Sequence, residues 1–224
     1  MREALFKLHA WLSPGYPVGA YTYSHGLEWA VGAGDVADGA STQAWVRDCL
    51  VQGAGRSDAI LLAHAWRAGA AGNVAGDRAA LDDLAELAQA LAPSAERLLE
   101  TEAQGAAFAG VTASAWGGAA SMPTGSAPYP VAVGRAAAAH GVALPETLAV
   151  FLQAFVANLV SAAVRLVPLG QTEGQQILAD LMADVLAVAA EAEGADLDQI
   201  GGFSFGADIA SMRHETQEVR LFRT

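Results

Sequence analysis

Basic residues are what this sequence has least of: one lysine, Lys7, and 12 Lys and Arg in total against 24 Asp and Glu over 224 residues. The formal net charge of −12 and a pI near 4.6 argue against nucleic acid as a ligand, because phosphate binding needs clustered Lys and Arg. There is one cysteine, Cys49, which allows neither an internal disulfide nor a zinc-type cysteine pair. It lies beside Leu50 and Val51 in an apolar helical pattern, where an inert buried thiol is expected. Charged residues of all kinds make up only 16% and hydrophobic ones 53%, so little polar surface is left to cover a monomer and a partner is expected on part of it. Near the N-terminus the apolar run is short and broken by Glu3 and His9, which does not fit a signal peptide and favours a cytoplasmic location.

Catalytic motifs are missing too. No serine sits in a Gly-x-Ser-x-Gly elbow, no His-Glu-x-x-His occurs, and the 24 glycines form neither Gly-x-Gly-x-x-Gly after a strand nor Gly-x-x-x-x-Gly-Lys-Ser/Thr. His25 and Glu28, at i and i+3, could offer two metal ligands from one helix face, but a catalytic zinc needs three. His9, His64, His140 and His214 are scattered singly. No tightly bound metal or cofactor is expected. The sharpest enzymatic alternative is a small metal-dependent hydrolase that brings His25, Glu28 and His214 together.

No long stretch alternates with the period of a half-buried strand, whereas apolar residues recur at helical spacing nearly throughout. The expected fold is all-α: a single-domain helical bundle of about nine to ten helices, covering residues 1–224, with 212–224 as a docking tail. Helices are predicted from Glu3 to Leu12, from Ser24 as N-cap to Val31, from Thr42 to Gln52, from Ser57 as cap to Ala68, from Asp77 to Leu91 and from Ser94 to Ala113. Trp116 to Pro130, with three prolines and three glycines, reads as a loop. Helices follow from Val131 to His140, from Pro145 for about 22 residues up to Pro168, from Thr172 to Ala192, and from Ala207 to His214. The helix before Pro168 is apolar enough for a membrane span. However, Gln153, Asn158, Ser161 and Arg165 interrupt it, which favours a central buried helix and no membrane. Along Thr172–Ala192, the acidic side chains Glu173, Asp180, Asp184 and Glu191 read as a solvated face or as a patch for a basic partner.

Two stretches look built for contact. Arg213, Arg220 and Arg223 follow 47 residues, Leu166 to Met212, that hold eight acidic side chains and no basic one. Together with His214, Glu215, Gln217, Leu221 and Phe222 they have the composition of a docking segment. Near the other end, Tyr16, Tyr21 and Tyr23 surround Pro17 and Gly19 in a loop rich in residues favoured at interfaces, or else close the core under a turn.

Ser13-Pro14-Gly15-Tyr16-Pro17-Val18-Gly19-Ala20-Tyr21-Thr22-Tyr23-Ser24-His25-Gly26-Leu27-Glu28 resembles the N-terminal signature of the UreF family of urease accessory proteins. Arg165-Leu166-Val167-Pro168-Leu169-Gly170-Gln171-Thr172 resembles that family's central motif, and Arg213-His214-Glu215-Thr216-Gln217 with Arg220-Leu221-Phe222-Arg223 resembles its C-terminal one. Thr224 stands where the family pattern has serine. The resemblance implies an all-helical, non-enzymatic, often dimeric maturation factor. Such a factor assembles with UreD (also called UreH) and the GTPase UreG on the urease apoprotein, with UreE supplying nickel. On this reading nickel is handled by the complex, and Tyr16, Tyr21, Tyr23, His25, Glu28 and the tail residues contact partners. The tail is expected to be partly disordered alone and to order on UreD. Two extensions remain open: activation of the UreG GTPase by Arg213, Arg220 or Arg223 in trans, and an internal nickel passage lined by His25, Asn158 and Ser161.

Overall fold

Local sequence signals start several of the helices. Asp38 accepts the Ser41 N–H at 2.8 Å while the Ser41 hydroxyl accepts the Asp38 N–H at 3.1 Å, and Ser94 accepts the Arg97 N–H at 3.1 Å, so two helix starts are capped by side chains. The computed structural model describes residues 2–70, 74–117 and 127–224. Its helices are α1 (Arg2–Trp11), α2 (Leu27–Ala33), α3 (Gly39–Val51), α4 (Ala54–Ala70), α5 (Val74–Ala90), α6 (Ala95–Trp116), α7 (Tyr129–Ala139), α8 (Leu144–Leu166), α9 (Gln171–Asp180), α10 (Met182–Gly194) and α11 (Phe205–His214). Short 3-10 turns lie at Ala20–Thr22 and Leu197–Gln199. Among the described residues there is no strand, and the chain is an all-α helical bundle as its periodicity predicts.

Helix α8 is a buried core helix as expected, with Leu148, Phe151, Leu152, Val156, Leu159 and Val160 in the interior, and α4 is enclosed as well. Ala59, Ile60, Leu61, Leu62 and Ala63 are buried in succession, because α3, α5, α7, α8 and α10 pack around α4 on all sides. Its closest neighbour is α7: Gly134 leaves no room for a Cβ against the Leu62 carbonyl, and Gly69 faces Ala138, so the two backbones approach closely. Helix α8 is long and apolar enough to cross a membrane, yet half of its apolar window is buried within the fold. Trp11 anchors one end of the core, edge-on to Phe108 at 6.0 Å and to His140 at 5.1 Å.

Several boundaries differ from expectation. Ser24 does not open α2; the helix begins at Leu27 after Gly26, because the Ser24 hydroxyl is turned to the Thr224 carbonyl while still accepting the Glu28 N–H at 3.3 Å. Ser57 lies inside α4, which starts at Ala54. The stretch Thr172–Ala192 breaks at Leu181 into α9 and α10. Two carboxylates of its acidic face are neutralised within the fold: Asp184 by Arg47 at 2.8 Å and Glu191 by Arg56 at 2.7 Å. Of the expected loop Trp116–Pro130, positions 118–126 lie outside the described residues.

Candidate functional site

The three stretches singled out in the sequence meet at one place. Ser13-Pro14-Gly15 ends α1 and sends the chain through the tyrosine loop. His25 has a φ of 54° and Gly26 a φ of 76°, two left-handed residues in succession that turn the backbone sharply into α2. At Gly26 an added Cβ would stand 2.6 Å from the Ser211 amide nitrogen, so only glycine lets α11 lie this close.

The tail fills the space beside this turn. Glu215 and residues 220–224 are joined to the rest of the fold by hydrogen bonds and ion pairs. Glu28 accepts the Leu221 N–H at 2.6 Å and the Phe222 N–H at 2.9 Å. Thr22 O accepts the Arg223 N–H at 2.7 Å, and Thr224 O accepts the Ser24 N–H at 2.8 Å. The Phe222 ring is buried, with the Arg165 guanidinium 4.3 Å from its centroid. Arg165 also donates to the Tyr21 carbonyl at 2.8 Å, and Asn158 to the Tyr23 carbonyl at 3.2 Å. The polar face of α8 therefore holds both the tyrosine loop and the tail.

Helix α6 supplies the third wall, and sequence reasoning missed it. His214, fully buried, lies between Glu96 at 2.7 Å and Glu28 at 3.1 Å, while Arg220 reaches Glu96 at 2.5 Å. Glu215 accepts the Ala95 N–H at 2.7 Å, adding a second cap to the N-terminus of α6. The Ser94 and Ser211 hydroxyls lie 2.6 Å apart. One turn further along α6, Glu100 pairs with Arg97, meets His25 at 3.1 Å, and accepts the Thr224 hydroxyl at 3.1 Å. A signal was present: Glu96, Arg97 and Glu100 cluster within five positions of a helix otherwise rich in alanine and apolar residues.

Burial and charge set the protonation states here. Burial, then the Arg97 charge, push the His25 imidazole down. Its Nε2 can either accept from Arg97 at 3.1 Å or donate to Glu100, not both. Burial alone raises the Glu100 carboxyl, but Arg97 and His25 outweigh it and hold the group at about 2. Burial raises Asp58 to about 6, against the opposing pull of Arg97. The Cys49 thiol is pushed up to about 12 by burial, which leaves it inert. His25, Asp58 and Arg97 line two cavities: one of about 340 Å³ that also touches Cys49 and Ser211, and one of about 450 Å³ that also touches Asn158 and Ser161.

The sequence-predicted residues thus divide by exposure. Tyr16, Tyr23, His25, Glu28, His214 and Phe222 are buried, so they build the site from within instead of presenting a surface. Tyr16 closes the core, its hydroxyl 2.8 Å from Thr112 and its ring 5.5 Å from Phe108. Tyr21, Arg213, Glu215, Arg220, Leu221 and Arg223 are exposed, and Gln217 is half-buried. His25, Glu28 and His214 do not form one ligand set, because His25 turns to Arg97 and Glu100 while Glu28 faces His214 and the tail amides. Among the described residues no group of three or more His, Cys, Asp or Glu side chains is placed to hold a metal ion.

A family model described as UreF matches residues 36–182. The full chain is 54% identical over 224 residues to the urease accessory protein UreF of Cereibacter sphaeroides strain KD131, with 100% of both chains covered. The chain belongs to the UreF family. UreF of Rhodopseudomonas palustris strain HaA2 is 53% identical over 226 positions, covering 99% of this chain and 94% of that one. UreF of Methylobacterium sp. strain 4-46 is 53% identical over 222 positions, covering 97% and 87%. The likeness to the Cereibacter sphaeroides UreF thus reaches the tyrosine loop and the tail, which lie outside the part matched by the family model.

Proposed function

We propose that this UreF-family chain is a urease maturation factor that acts by assembly and carries out no chemistry of its own. It binds UreD (UreH) and the GTPase UreG on the urease apoprotein in the cytoplasm, and couples GTP hydrolysis to insertion of nickel as cargo. The coupling consists in binding one nucleotide state of the assembly more tightly than another. The full-length likeness to urease accessory proteins carries this reading. It is supported by the exposed apolar side chains of α11 and the tail: Phe205, Ile209 and Met212 follow one face of the helix, and Val219 and Leu221 are likewise exposed.

Further exposed apolar residues at Phe6, Met182 and Leu186 leave surface for a second copy, so a homodimer belongs to the proposal. Sequential co-purification with UreD and then UreG tests the assembly. The full chain should retain both, and failure to retain UreD would overturn the reading. Ending the chain at Ser211 is not a clean version of this experiment, since it deletes the buried His214, Phe222 and Thr224.

A second reading, passage of nickel through the chain, is favoured by one observation: His25, Asn158 and Ser161 line the same cavity, beside Asp58 and Glu100. The exposed Ser161, replaced by Phe, should block urease activation while assembly with UreD and UreG persists. Full activation by that variant removes the passage.

A further inference from the structure

The larger of the two cavities, about 450 Å³, has the size of a small-molecule site and two unlike ends. Tyr21, Gln153 and Ser161 are exposed at its mouth, between the tyrosine loop and α8. Its deep part is walled by Leu8, Phe151 and Phe155 on one hand, and by Asp58, Arg97, Glu100 and Gln104 of α4 and α6 on the other.

Most of these polar groups have partners inside the fold. Glu100 pairs with Arg97, meets His25, and accepts the Thr224 hydroxyl at 3.1 Å and the Gln104 amide N–H at 2.9 Å. Because a carboxylate only accepts, it fixes the Gln104 amide with its nitrogen toward Glu100. The Gln104 carbonyl oxygen is then left without a partner among the described residues, on a side chain only 5% exposed that lines the cavity. The Asp58 carboxyl and the Tyr129 hydroxyl, also on this lining, likewise make no hydrogen bond among the described residues. Arg97, the basic residue here, is offset by Glu100, so Asp58 gives the lining a net negative charge. His25 touches that Arg97–Glu100 pair, and His9 is exposed near the mouth.

Unpartnered acceptors beside an uncompensated carboxylate suit a cation that carries several N–H groups. A metal ion is poorly matched, since among the described residues no three His, Cys, Asp or Glu side chains are grouped to hold one. We propose that this cavity binds a small primary amine with an apolar body, its ammonium on Asp58, Gln104 and Tyr129 and its body against Phe151 and Phe155. The ammonium brings three N–H donors to three acceptors, and Asp58 neutralises it away from bulk water. The body displaces water from the two phenyl rings. An alcohol of the same shape offers one donor and no charge, and an anion is repelled by Asp58. The proposal rests on the cavity itself and on neither reading given above.

The test is calorimetric titration of the full chain, without any partner, with phenethylamine at about pH 7.5, where Asp58 is ionised and the amine is protonated. Phenethyl alcohol and hydrocinnamate keep the ring and the chain while removing or inverting the charge. The expected result is saturable binding of the amine, with affinity lower by about tenfold or more for the alcohol, and for the amine on Asp58→Asn. In isotope-labelled protein the amine should shift the Gln104 side-chain amide and the Phe151 and Phe155 ring signals, which places it in this cavity. Equal affinity for amine and alcohol overturns the proposal, as do tighter binding of hydrocinnamate, undiminished binding to Asp58→Asn, and shifts confined to other residues. Absence of saturation by about 10 mM amine overturns it too. If Asp58→Asn does not fold, the amine and alcohol compared on the unaltered chain still decide. Since no partner is present, failure here is distinct from failure of the assembly reading.

Discussion

Glu28 fixes the tail through a single carboxylate that accepts two backbone N–H groups and faces a histidine. Glu28→Gln keeps the shape but turns an amide NH₂ toward a donor, leaving a buried N–H without a partner at a cost of about 1–3 kcal/mol. Urea denaturation should show that loss, with the tail amides losing protection from exchange. Asp58 gives a prediction of opposite sign. Its carboxyl is raised from 3.8 to about 6, so the folded chain holds this proton more tightly than the unfolded one. Its contribution to stability is therefore fully present below the unfolded value and is lost as pH rises through about 6. Asp58→Asn should stabilise by about 1–2 kcal/mol near neutral pH and change little at about pH 4. Thermal melting at the two pH values checks this. Glu100 behaves as the usual lowered acid: its contribution is present above the unfolded value of 4.5 and fades as pH falls through about 2. Removing its charge with Glu100→Gln leaves Arg97 buried without its partner, at a cost of about 3–5 kcal/mol by the same denaturation.

At the scale of elements, the site depends on how closely α11 lies against α2 and α6. Gly26→Ala combines an unfavourable left-handed φ with a Cβ 2.6 Å from the Ser211 amide, and should cost about 2–4 kcal/mol. Because the clash is with the backbone of α11, the tail should detach first, visible as loss of exchange protection in 212–224 before global unfolding. Helical periodicity made the bundle legible in the sequence, and Pro145, Pro168 and Ser94 made three of its boundaries legible. The start of α2 was not, because Ser24 has two uses and the nearer one, capping, was the one that local rules describe. Nor was the break at Leu181, since Thr172–Ala192 carries one unbroken apolar stripe and only tertiary packing splits it.

The whole molecule brings together what the chain keeps far apart: a loop near residue 20, the polar face of α8, and the last ten residues. The motifs could be seen in the sequence as stretches, but not which of their residues face inward. Tyr16, Tyr23, His214 and Phe222 have the composition of an interface and lie in the interior. Likewise Glu96, Arg97 and Glu100 on α6 belong to no motif that stood out, although they touch His25, His214, Arg220 and Thr224. What faces outward is the apolar stripe of α11 with Leu221, on a chain of net charge −12. If this surface docks the first partner of the assembly, an acid placed there must weaken docking without disturbing the fold. The direct measurement is the calorimetric affinity of UreD for the full chain and for an Ile209→Asp, Leu221→Asp double variant whose circular dichroism and melting match the original. At about 1 kcal/mol or more for each buried anchor, the account predicts an affinity lower by at least about tenfold. Equal affinities would contradict it.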